Sequence, residues 1–116
     1  MATTYTPDRW VIVEVKTPTE KYNKVLASWS GGYLGTNKWR LSSGNETPIE
    51  HSDHWEFPQS SGSTYICYKI RYGMTVYTAS IYSDWERQNS ETYSVWIVPE
   101  YEPIEYRHGS DGPFAQ

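Results

Sequence analysis

Apolar and polar residues alternate along residues 9–16, RWVIVEVK, with Val11, Val13 and Val15 on one side and Ile12, Glu14 and Lys16 on the other. A period of two predicts a half-buried strand. Pro18 punctuates the next stretch, and residues 22–30 alternate again, Val25, Ala27 and Trp29 against Lys24, Leu26 and Ser28. Two such runs across a short turn predict an antiparallel hairpin. A short strand follows at 38–42, where Trp39 and Leu41 alternate with Lys38 and Arg40, and another extended piece at 54–57 ends at Pro58. Residues 64–72 set Ile66, Tyr68, Ile70 and Tyr72 against Tyr65, Cys67, Lys69 and Arg71. Apolar groups on both faces predict a central strand.

The period changes once. Tyr77, Ile81 and Trp85 recur at four-residue steps and charge gathers in Asp84, Glu86 and Arg87, which predicts a short amphipathic helix within 75–88. Val76, Tyr77, Thr78, Ile81 and Tyr82 favour a strand by propensity, so the two signals conflict and the helix is the preferred reading. Residues 93–98 supply a last strand before Pro99. The expected class is mainly β, all-β or α+β: a small antiparallel sheet or barrel with one short helix near 76–88. The division is an N-terminal arm at 1–8, one β-rich domain at 9–99 and an acidic, partly loose tail at 100–116.

Composition explains how so few aliphatics can fill a core. Leu, Ile, Val and Phe together number nineteen, whereas the aromatics include six Trp and eleven Tyr. Rings bury large areas, so they are expected to hold the sheet together. The single cysteine, Cys67, excludes an internal disulfide and reads as an inert buried thiol. Neither a basic start with an apolar core nor a run of membrane-span length is present, so the expected setting is cytoplasmic, with no membrane partner.

The runs RWVIVEVK, ASWSGGYLG and KWRLSSG, followed by SGSTYICYKIRYG, resemble small proteins of marine cyanobacterial phages and ocean metagenomes over roughly residues 8–98. That resemblance implies a compact Sm-like or SH3-like β-barrel. It implies no activity and assigns no functional residue.

The net charge of −4 is unevenly spread: residues 1–40 hold six basic and three acidic groups, residues 91–116 one basic and five acidic. The tail could therefore neutralise the basic part or dock onto a neighbouring copy. No nucleophile elbow, phosphate-binding loop or dinucleotide fingerprint occurs, and Gly31, Gly32 and Gly35 read as a turn. An enzyme is the least favoured class, with no catalytic residue and no cofactor. The cluster Glu50, His51, Asp53, His54 and Glu56 is the best candidate for metal ligation. In one extended segment, however, His51 and Asp53 would face away from His54 and Glu56, leaving only pairs where a metal wants three or four ligands unless another segment, such as His108, contributed. A solvated loop edge is the plainer reading, and no metal site is assigned.

Two binding readings remain. The first is an interaction or assembly module, with Lys38, Arg40, Tyr33, Tyr65, Tyr72, Tyr82, Trp85 and Tyr101 as candidate contacts and a second copy or a host protein as partner. The second is single-stranded nucleic-acid binding by Trp10, Tyr22, Trp29, Tyr33 and Trp39 beside Arg9, Lys16, Lys21, Lys24, Lys38 and Arg40. Trp29 and Trp39 alternate with polar neighbours, so core packing is their first expected use.

Overall fold

The computed structural model describes residues 3–30 and 38–102. Its strands are β1 (Thr4–Tyr5), β2 (Arg9–Lys16), β3 (Lys21–Trp29), β4 (Lys38–Leu41), β5 (Ile49–Glu50), β6 (His54–Pro58), β7 (Thr64–Tyr68) and β8 (Ser94–Ile97), with one helix, α1 (Val76–Arg87), before β8. They form two four-stranded sheets in the orders β1-β7-β6-β5 and β4-β3-β2-β8. The mainly β class is as expected, with an open pair of sheets in place of a closed barrel. Strand pairings are antiparallel except β1 with β7. Among the described residues no helix is long and apolar enough to cross a membrane.

The hairpin β2–β3 is the spine. Its register runs from Arg9 opposite Ser28 to Lys16 opposite Lys21. The turn is closed by Thr17 N donating to the Glu20 carbonyl at 2.9 Å. Trp10, Val11, Ile12 and Val13 are all buried, as are Val25, Leu26, Ala27 and Ser28. Both strands are thus covered on both faces, and the expectation of a half-buried β2 is corrected. One face, carrying Trp10, meets the other sheet: Trp10 packs 5.7 Å from Phe57 and edge-on to Tyr72 at 5.1 Å. The opposite face meets α1, where Trp85 lies edge-on to Trp39 at 5.5 Å. The result is three layers, sheet on sheet with a helix outside.

Ends of elements are satisfied locally. Past β4, Ser42 exchanges two bonds with Val25, its Oγ accepting from Val25 N at 2.8 Å and its N donating to the Val25 carbonyl at 2.9 Å. The helix opens on a reciprocal cap: Thr75 Oγ1 accepts from Thr78 N at 3.1 Å, and Thr78 Oγ1 accepts from Thr75 N at 3.0 Å. That cap, with Tyr82 and Thr78 buried against the sheet, outweighs the strand propensity of the segment. The inward positions are Thr78 and Tyr82, with half-buried Ile81 and Trp85; Tyr77, expected inward, is 42 % exposed.

The strand expected over 64–72 is internal, flanked by β1 and β6, but stops at Tyr68. Lys69–Arg71 forms a 3-10 turn that leaves Ile70 84 % exposed. The chain must leave one sheet here to reach the other. Gly73 N donates to the Trp10 carbonyl at 2.7 Å, and the φ of +135° at Gly73 is one that only glycine adopts freely. Thr4–Tyr5, within the stretch set apart as an arm, pairs with β7, and the Tyr5 ring stacks on Tyr65 at 4.8 Å.

Candidate functional site

Two surface features collect side chains capable of binding chemistry, and each arises from a local turn or edge. The first is the tip of the β5–β6 hairpin. The register sets Ile49 opposite Glu56 and Glu50 opposite Trp55, so residue 51 falls opposite 54. His51 N donates to the His54 carbonyl at 2.8 Å, closing a two-residue turn of Ser52 and Asp53. Directly opposed residues share a face. His51, His54 and Glu56 therefore stand together, where a single extended segment would have separated them.

The contacts are close. The two imidazole rings stack 4.3 Å apart at an interplanar angle of 13°. His51 Nε2 lies 2.7 Å from Glu56 Oε1, and His54 Nδ1 lies 2.6 Å from Asp53 Oδ1. One ligand-type atom from each of His51, His54 and Glu56 falls within 4.8 Å of the others. The hydrogen bond from His54 holds the Asp53 carboxyl below its ordinary range. The ring of His54 is backed by Tyr68 at 5.4 Å. On the other face, Lys69 Nζ meets Glu50 Oε2 at 2.6 Å and sits over the Trp55 ring, so Glu50 belongs to a separate pair.

The second feature is β4. It pairs with β3 alone, so among the described residues Lys38–Leu41 is an edge strand. Lys38, Trp39 and Arg40 are exposed. Trp39 is 38 % exposed while leaning on Trp85, and the Arg40 guanidinium lies 4.8 Å over the Tyr5 ring. Lys38 and Arg40 take the face opposite Trp39 and Leu41, as expected from the alternation.

Other expected contacts move inward. Tyr65, Tyr72 and Tyr82 are buried and belong to the core, so they are corrected as surface candidates. Trp85 and Tyr101 are half-buried, Tyr101 against Trp55 and Phe57. Tyr33 and His108 lie outside the described residues. The rings and cations of the first 40 positions do not form one track. Trp10 is core, Trp29 is half-buried and its Nε1 donates to the Thr6 carbonyl at 3.0 Å. Lys16 and Lys21 sit at the turn end of the hairpin, about 24 Å along the strand from Arg9 and its neighbours Lys38 and Arg40. Cys67 is buried, and burial pushes its thiol up, which keeps it protonated and unreactive.

Sequence reasoning missed two partners: Tyr5 under Arg40, and Asp53 as the group orienting His54. The hairpin turn was the signal for the second, but Ser-Asp is a weaker turn mark than Asn-Gly. Comparison with protein-family models, with curated proteins and with solved structures gives no match to this chain.

Proposed function

We propose that this protein is a small non-enzymatic interaction module that accepts an extended acidic segment of a protein partner along β4, a second copy of the chain being one source. The observation that carries this reading is the exposed Trp39 on an edge strand between Lys38 and Arg40. An edge strand offers unpaired backbone groups to an added strand, and alternate side chains then set specificity. Trp39 is the anchor, held by Trp85 and still open to solvent, as binding rings are. The two cations select for carboxylates. Residues 103–116 of the same chain carry Glu105 and Asp111 and so supply carboxylates of the kind these cations select.

The test is a titration of the whole protein with a synthetic peptide of residues 103–116, followed by tryptophan fluorescence and repeated with K38E/R40E. Saturable binding that weakens with salt and is lost in the double variant supports the reading. No binding by the wild type, or binding unchanged in K38E/R40E, overturns it. Salt-sensitive retention on single-stranded DNA without peptide binding would transfer the same residues to phosphate and base contact.

A further inference from the structure

We propose that His51, His54 and Glu56 form a binding site for a first-row divalent transition metal such as Zn²⁺. The proposal is independent of the β4 edge, because it stands on the other sheet and on different chemistry.

The hairpin supplies what a metal needs first, which is convergence. Three donors from a stretch of six residues are brought to one face by the Ser52 and Asp53 turn, and their ligand atoms already lie within 4.8 Å of one another. Ligands at ~2.0 to 2.2 Å from a tetrahedral metal are about 3.3 to 3.6 Å from each other. The 2.7 Å separation of His51 Nε2 and Glu56 Oε1 must therefore open by about 0.6 to 0.9 Å, and a separation as long as 4.8 Å must close by about 1.2 to 1.5 Å. The movement required is rotation of the His51 and Glu56 side chains, which unstacks the two imidazoles so that their in-plane lone pairs can converge.

The second requirement is an oriented imidazole. Asp53 Oδ1 accepts from His54 Nδ1 at 2.6 Å. An ionised carboxylate only accepts, so Nδ1 is the donor of this bond, and in the neutral ring the lone pair a metal takes is on Nε2. A carboxylate behind a ligating histidine is the usual supporting arrangement at such centres. Tyr68 packs against the same ring and restricts its orientation.

Donor chemistry selects the class of ion. Two imidazole nitrogens and one carboxylate suit zinc, nickel or copper, whereas calcium and magnesium demand more oxygen ligands than this face holds. His51 and Glu56 satisfy each other when no metal is bound, so the metal replaces an exposed hydrogen-bonded pair of small net value. Three protein ligands leave a coordination position for water.

The experiment is calorimetric titration of untagged full-length protein with Zn²⁺, repeated with H51A, H54A, D53N and H108A, each checked for folding by circular dichroism. Expected are one-to-one binding, a loss of about tenfold or more in H51A, H54A and D53N, and no change in H108A. With Cu²⁺ as probe, electron paramagnetic resonance of the wild type should report nitrogen ligation that is lost in H51A/H54A. Absence of saturable binding by the folded wild type, or binding retained in folded H51A/H54A, overturns the proposal.

Discussion

The indole nitrogen of Trp10 donates a 2.7 Å hydrogen bond to the carbonyl of Tyr68, joining the middle of one sheet to the last residue of a strand in the other. The residues are 58 positions apart, and the ring between them is 1 % exposed. This one side chain supplies both the apolar contact between the sheets and a polar partner for a carbonyl at a strand end. Replacing Trp10 with Phe keeps most of the first and removes the second. The expected loss is about 2 to 3 kcal/mol, from the broken bond and an unsatisfied acceptor. Trp10→Ala should cost about 3 to 5 kcal/mol. Trp29→Ala, at a half-buried ring, should cost clearly less than Trp10→Ala. Urea denaturation of the three variants checks the order, and equal losses at Trp10 and Trp29 would contradict it.

Lys38 and Arg40 are exposed, with the Arg40 guanidinium at the rim of the face that meets the other sheet, beside Tyr5 and Tyr65, and K38A/R40A should fold like the parent. The double change takes the Arg40 guanidinium away from the Tyr5 ring, and an exposed cation on an aromatic face is worth about 0.5 to 1 kcal/mol. A thermal melt of the double variant should therefore shift by a few degrees at most. Collapse of the fold would mean that these cations hold the β4 edge in place and are not free for a partner.

The helix depends on its first turn. Thr75 and Thr78 cap each other, and Thr78 is buried besides. Thr75→Ala removes one acceptor and should cost about 1 kcal/mol. Thr75→Ser keeps the acceptor and should recover most of it. Circular dichroism at increasing denaturant measures both; a neutral Thr75→Ala would show that tertiary packing of Tyr82 and Trp85 alone sets the helix start.

The hairpin β2–β3 could be read from alternation because its polar and apolar positions repeat with the strand period. What alternation could not reveal was the number of layers. Ile12 and Leu26 looked like ordinary second-face residues, and only the helix on one side with the second sheet on the other explains why they are buried with Val11 and Val25. The tyrosines misled for the opposite reason. Tyr65, Tyr72 and Tyr82 have a polar tip that fits a surface as well as a core, and the burial of the first two depends on partners distant in sequence, Tyr5 on Tyr65 and Trp10 on Tyr72. The His51 to Glu56 cluster was visible as composition. Its shared face was not, because one two-residue turn reverses which positions point together.

Those buried phenols give the fold a defined alkaline limit. Burial pushes Tyr65 from 10.0 up to about 12, and raises Tyr82 and Tyr101 in the same direction. In the unfolded chain each tyrosine releases its proton near its ordinary value, so between pH 10 and about 12 the folded state holds more protons than the unfolded one. Stability then falls as pH rises, by linkage, and is fully present below that window. Tyrosinate absorbance should show a group titrating late and together with the loss of near-ultraviolet circular dichroism, and Tyr65→Phe should remove part of that pH dependence while retaining the ring stacked on Tyr5. Reversible, ordinary titration of all the tyrosines in a protein that stays folded above about pH 12 would contradict a Tyr65 hydroxyl enclosed between the sheets.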